Sequence, residues 1–299
     1  VLTVGLLLVV LADAGLRTWR NQAVRALTVL TLAGALWAVV DLAGQVAPGP
    51  IFAGMLAIDP LGLFFKFVLV LASFVLVLAF TFQNSRELAG LGQGEFHALL
   101  LALTLGCLLM TGSNDVVMLY LSLETVSIPS YVMVAYLKGD RLSNEAALKY
   151  LLFGAVSTGA MLYGLSLLFG LTGATGLPEI RAALAGGYDD AGRLTLYLIT
   201  LLLVAGFGFK IAAVPFHFWC PDAYQGAPTP VTALLSVVPK AAGFGLLLRF
   251  FFGGMTTSLA GTWDLAGSIE WPAVLMVVSV ATMTWGNVAA ITQVDMKRL

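Results

Sequence analysis

The sequence predicts an all-α fold, a polytopic membrane helix bundle of about nine transmembrane helices. Three observations carry that reading. Hydrophobic residues make up 60% of the 299 residues and charged residues 10%, against roughly 45–50% and about 25% in soluble domains. The mean hydropathy is +0.96. The apolar residues fall in runs of about 20, the length a helix needs to cross the hydrocarbon core. Runs this long do not alternate like the strands of a membrane barrel, and a bilayer admits only helices or closed barrels.

Taken in order, the spans are expected near 1–12, 24–43, 60–82, 96–112, 114–137, 146–171, 194–218, 231–252 and 271–291. The first begins apolar, without an initiator methionine. It reads as a clipped helix rather than a signal peptide, because no charged leader or small-residue cleavage site accompanies it. Asp295, Met296, Lys297, Arg298 and Leu299 read as the entry to another helix, so a fragment of a longer chain is expected. Within the loop at 172–193, Leu177 to Leu184 predicts a short interfacial helix. Thr229 followed by Pro230 predicts a helix start, since proline at the first helical position loses no needed hydrogen bond.

Alternate loops differ in basic content, which sets orientation. One set holds Arg17, Arg20, Arg25, Arg86, Lys138, Arg141, Lys149, Lys297 and Arg298. The other holds Arg181 and Arg193, with Arg249 near its membrane face. The bias predicts an N-terminus outside and a cytoplasmic 138–146 loop. The 221–230 loop carries no base and does not vote.

Composition also excludes function classes. A net charge of -1 gives no nucleic-acid signature. Cys107 and Cys220 form no disulfide framework or metal-ligand spacing. No dinucleotide fingerprint, Walker loop or haem motif is present. The chain therefore shows no site for a redox cofactor, nucleotide or metal of its own.

The informative residues are charges inside the spans, where each costs at least ~2.5–3.5 kcal/mol on insertion scales. Lys66 lies a turn or two inside its span, and its stem can snorkel to the interface. Glu124, Lys210 and Lys240 lie deeper. Each has a proline nearby that removes a helical hydrogen bond: Pro129 frees the Thr125 carbonyl, Pro215 that of Ile211 and Pro239 that of Leu235. Freed carbonyls in lipid need water or a polar neighbour. Three such pairs predict a polar, partly hydrated path at mid-membrane depth, with a proline-broken helix near 194–224. Burial disfavours the charged form of carboxylates and amines, and a nearby opposite charge restores it. That suits proton transfer; static ion pairs are the alternative. His217 either relays a proton or hydrogen-bonds a freed carbonyl. Asp222, Tyr224 and Gln225 are expected to shape the loop after the broken helix, with Asp222 a lesser candidate for proton entry.

The stretch Phe209-Lys210-Ile211-Ala212-Ala213-Val214-Pro215-Phe216-His217-Phe218-Trp219-Cys220-Pro221-Asp222, continuing through Gly226-Ala227-Pro228-Thr229-Pro230, resembles the subunit N family of antiporter-like membrane subunits of NADH–quinone oxidoreductase (respiratory complex I). Ser236-Val237-Val238-Pro239-Lys240, Leu123-Glu124-Thr125 with Pro129, and Asn144-Glu145-Ala146-Ala147-Leu148-Lys149-Tyr150 fit the same family. The resemblance covers most of the chain from about residue 60. It implies two inverted five-helix repeats, each with a broken helix. Residues 1–95 would be N-terminal helices, 96–252 the first repeat and 253–299 the start of a second. It also implies a proton path through Glu124, Lys210 and Lys240, to which His217 is a further candidate. A further basic residue of the path would lie beyond Leu299, and the fragment alone would not pump.

The resemblance further implies location in the inner (plasma) membrane, with other membrane subunits and the lipid bilayer as partners. NADH, FMN, iron–sulfur clusters and quinone would sit on partner subunits, with no redox chemistry in this chain. In the expected cycle Lys210 holds a proton while Glu124 is close, and passes it toward Lys240 when Glu124 withdraws or is protonated. A charge pair at ~4 Å and an effective dielectric of ~20 is worth about 4 kcal/mol, enough to drive such a switch. Two rivals remain: a subunit of a multi-subunit sodium/proton antiporter, and a structural membrane spacer whose charges form static ion pairs.

Overall fold

A computed structural model describes residues 1–16, 19–45, 47–83, 92–256 and 271–298. Arg17, Arg86 and the 257–270 stretch lie outside the described residues. The helices are α1 (Leu2–Gly15), α2 (Arg20–Gln45), α3 (Pro60–Gln83), α4 (Gln93–Gly112), α5 (Val116–Val134), α6 (Arg141–Thr172), α7 (Leu177–Leu184), α8 (Asp190–Ile211), α9 (Trp219–Gly226), α10 (Thr229–Gly254) and α11 (Trp271–Ile291). Eight of them are long and apolar enough to cross a membrane, and α1 is a shorter apolar helix. Each expected span has its helix, and the chain is a multi-pass membrane protein.

Polar residues at the ends set the boundaries. Asp115, Asp140 and Asp189 accept hydrogen bonds from the first free backbone N–H groups of α5, α6 and α8, the usual service of an N-cap aspartate. Gly173, in the left-handed region at φ 68°, closes α6. Between helices, small residues permit close approach, which drives association where lipid removes the hydrophobic force. A Cβ on Gly106 of α4 would lie 3.0 Å from the Thr125 carbonyl carbon of α5. One on Gly206 of α8 would lie 2.5 Å from Met161 of α6.

A short antiparallel hairpin, β1 (Gly49–Ile51) with β2 (Leu56–Ile58), was not anticipated; Pro50 pairs with Ala57. Its strands are three residues each, too short to show a hydrophobic period. Asn114 anchors it, donating from its backbone to Met55 and from its side chain to Gly54. At this end Arg249 of α10 grips Asp59 with two hydrogen bonds of 2.7 and 2.6 Å. Its Nε also donates to the Thr111 carbonyl at 2.7 Å. One buried guanidinium thus ties α3, α4 and α10. Lys66 reaches the same end, its Nζ 3.3 Å from the position of a Cβ on Gly112.

Burial pushes the Asp59 carboxyl upward, but hydrogen bonds from Arg249 and from the Gly62 backbone outweigh that and hold it below its ordinary value. The stabilisation is therefore complete above the ordinary carboxylate range and is lost as pH falls through the lowered folded value. Asp59→Asn should cost about 1–3 kcal/mol, less than a fully buried pair because Asp59 is partly exposed. The check is thermal unfolding of the purified protein: the variant's deficit should be clear near neutral pH and shrink under acid.

The expected break is present between α8 and α9, inside the 194–224 stretch, but it does not arise as Pro215 suggests. α8 stops at Ile211, where Ala212 turns into the left-handed region at φ 57°. The Ile211 carbonyl is therefore not freed from a continuing helix by Pro215, because the helix has already ended. A proline biases its preceding residue away from helical geometry, and the chain here leaves the helix two residues earlier still.

Candidate functional site: a buried charge path beside the broken helix

Lys210 is the last-turn cation of α8 and is only 3% exposed. Its stem passes α10 at Gly243, where a Cβ would lie 3.4 Å from Lys210 Cγ. The Nζ donates to Ser127 Oγ of α5 at 3.1 Å. That hydroxyl donates its own proton to the Leu123 carbonyl at 2.8 Å, so it meets Lys210 as a neutral acceptor. Glu124 lies three residues before Ser127, on the same helix face. Its Oε1 is buried and has no hydrogen-bond partner. Glu124 and Lys210 interact electrostatically but form no direct ion pair. Ser127 was missed from sequence; its place one turn from Glu124 was the available signal.

The second cation, Lys240, is half-buried in α10. The Leu235 carbonyl that Pro239 frees accepts from the Tyr224 hydroxyl at 3.3 Å, so a polar neighbour serves it as expected. Lys240 Nζ stands 5.0 Å above the Tyr224 ring, within cation–π range, and 3.7 Å from Cys220 Sγ. It lines a cavity of about 630 Å³ shared with His217, Cys220, Ser236 and Gln293. His217 Nδ1 is buried without a partner, and its ring lies 6.1 Å from that of Trp285 on α11. The carbonyl-binding alternative for His217 finds no bond at that nitrogen. A larger cavity of about 820 Å³ lies at the hairpin end. Its Asp59 and Asp115 are committed to Arg249 and to capping α5, so it is not the candidate.

The break is braced from three sides. Trp219 Nε1 donates to the Phe209 carbonyl at 3.1 Å, and its ring stacks on Tyr150 of α6 at 4.3 Å. The Tyr150 hydroxyl accepts from Ser130 of α5 at 3.2 Å. Thr282 of α11 accepts from the Val214 N–H at 3.0 Å. The frame thus fixes the interruption between Lys210, at the end of α8, and Lys240, within α10.

At the end of the bundle opposite the hairpin, Asp222 binds Lys149 and Arg298, each at 2.9 Å. Arg298 also donates to Gln225, which donates to Asp295 at 2.8 Å. Burial pushes the Asp222 carboxyl upward, yet Lys149 and Arg298 outweigh it and hold it below its ordinary value. These residues clasp α9 to α6 and to the segment after α11, fitting a loop-shaping role. Paired with two cations, Asp222 is a poor proton acceptor.

Comparisons with known proteins identify the family of the chain. Residues 113–299 match the family described as NADH:quinone oxidoreductase/Mrp antiporter, transmembrane. NADH-quinone oxidoreductase subunit N 2 of Chloroherpeton thalassium is 45% identical over 87% of this chain and 50% of its own length. Subunit N of Anaeromyxobacter sp. is 43% identical over 100% of this chain and 59% of its own. A chain of respiratory complex I from Thermus thermophilus superposes with a TM-score of 0.78 at 31% identity, over 100% of this chain and 59% of that one. A chain of an archaeal membrane-bound sulfane sulfur reductase reaches 0.81 at 24% identity, over 99% of this chain and 59% of that one; this is a likeness of fold. The chain spans about half the length of the curated relatives it matches. It belongs to the NADH:quinone oxidoreductase/Mrp antiporter transmembrane family, on the side of the subunit N relatives.

Proposed function

We propose that this chain is part of a proton-translocating membrane subunit of NADH–quinone oxidoreductase. One observation carries the reading: a buried lysine at the end of an apolar helix rests on a neutral hydroxyl, with the orphaned carboxylate oxygen of Glu124 one turn away on the same facing helix. Static ion pairing would consume both charges in one contact, as it does for Arg249 and Asp59. Here the charges are left uncommitted beside an interrupted helix, and irregular backbone at this depth is tolerated where it lines a cavity or is buried in protein. Glu124 biases Lys210, Lys210 holds the transferable proton, and Lys240 with His217 receives it at the cavity. NADH oxidation and quinone reduction, with FMN and iron–sulfur clusters, belong to partner subunits.

On this reading residues 96–252 form the first five-helix repeat, 1–95 precede it and 253–299 open the second. The protein sits in the inner membrane with its N-terminus outside. The Lys149–Asp222–Arg298 end then faces the cytoplasm, in keeping with the bias of basic residues. The test uses full-length protein in its complex in inverted membrane vesicles. Proton uptake should require NADH and be unchanged by sodium. Sodium-dependent proton movement without NADH would instead assign the chain to an antiporter.

A further inference from the structure

We propose that Ser127 is a positioning residue of the proton path, which holds Lys210 apart from Glu124 so that the two charges influence each other without locking together. The inference rests on the proton-translocating reading above and names a component that the charges alone do not reveal.

The geometry supports it at three points. Lys210 is almost wholly buried, so its ammonium must find acceptors in protein or trapped water. It donates to Ser127 Oγ at 3.1 Å. Because Ser127 spends its own proton on the Leu123 carbonyl, its lone pairs face Lys210 and the hydroxyl acts as a fixed acceptor. Glu124, one turn earlier on the same helix, keeps a buried oxygen without a partner. Two groups of opposite charge, each able to satisfy the other, are thus kept from direct contact while a neutral group takes the hydrogen bond.

The arrangement has a chemical consequence. A direct lysine–carboxylate pair in a dry site is hard to separate, since parting it strands two charges. A lysine resting on a hydroxyl loses one ordinary hydrogen bond when it moves. Ser127 thus provides a resting place from which Lys210 can swing toward Glu124 or toward the Lys240 side. Gly243 lets α10 pack closely against the base of the Lys210 stem, leaving the ammonium end to choose between the two sides.

The experiment measures NADH-driven proton uptake in vesicles carrying the full-length complex, normalised to assembled complex. Ser127→Ala should lower uptake about tenfold, since it removes a hydrogen bond to a charged group. Ser127→Thr, which keeps the hydroxyl, should stay within about twofold. In a Glu124→Gln background, Ser127→Ala should cost nothing further, because no carboxylate remains to trap the lysine; such non-additivity marks residues that act together. Normal uptake in Ser127→Ala overturns the proposal, as does equal damage from Thr and Ala, or the same fold-loss repeated in the Glu124→Gln background. Lys210→Ala in the same preparation separates the two readings. If it pumps normally, the proton path itself is wrong; if it fails while Ser127→Ala pumps, only the role of Ser127 falls.

Discussion

Replacing Glu124 by alanine is expected to leave the complex assembled while proton uptake falls to below about a tenth, a change equivalent to 1.4 kcal/mol or more. The size follows from the charge geometry. The two groups make no direct pair, so the contact value of about 4 kcal/mol at ~4 Å is an upper limit. Half of that limit, about 2 kcal/mol, still changes a protonation equilibrium by roughly 30-fold. Assembly should survive because Glu124 is not held in an ion pair between helices, and its Oε1 has no hydrogen-bond partner. The measurement is vesicle proton uptake with quinone reductase activity and the amount of assembled complex recorded together. A structural charge would show the reverse pattern, with less complex and normal uptake per complex.

Gly226→Val is expected to do what Glu124→Ala does not and abolish assembly. A Cβ at Gly226 would lie 2.5 Å from the Ala146 Cβ and 2.7 Å from the Leu142 carbonyl oxygen. The second obstacle is backbone in the first turn of α6, which a rotamer change cannot relieve. Overpacking of this kind costs about 1–3 kcal/mol, and more where the backbone must move. Here α9 would be driven off α6, taking with it the Trp219–Tyr150 stack and the Asp222–Lys149 pair. The braces that fix Lys210 against Lys240 would go together. Native gel electrophoresis of solubilised membranes reads the outcome, and Gly226→Ala should fall between the two.

Much of this was legible in the sequence, because the bilayer imposes simple rules. Spans follow from length and apolarity, so α2 to α6, α10 and α11 match their expected spans within about five residues, while α8 ends seven residues before its expected end at 218. Leu177–Leu184 was found from a short apolar stretch in a polar loop. Prolines marked the broken helix and the Leu235 carbonyl that Tyr224 serves. Local chemistry hid the rest. Pro215 pointed to a break but not to its position, which Ala212 sets by a left-handed turn that no residue type announces. The hairpin at 49–58 is too short for periodicity and is fixed by Asn114, more than fifty residues away. Ser127 looks like any serine in a membrane helix, since most such hydroxyls only bond back to the preceding turn. Its second contact, with Lys210, depends on how α5 and α8 pack, and packing is not written in either helix alone. The sequence leaves open how near Lys210 and Glu124 stand; in the structure the lysine bonds to a hydroxyl, and the two make no direct ion pair.

The central claim is that Lys210 carries the transferred proton, and its most direct test is NADH-driven proton uptake by the assembled complex with Lys210→Ala. The account predicts normal amounts of complex and uptake lowered at least about tenfold. Undiminished uptake per assembled complex would contradict it and leave Lys210 as a buried charge that the fold merely tolerates.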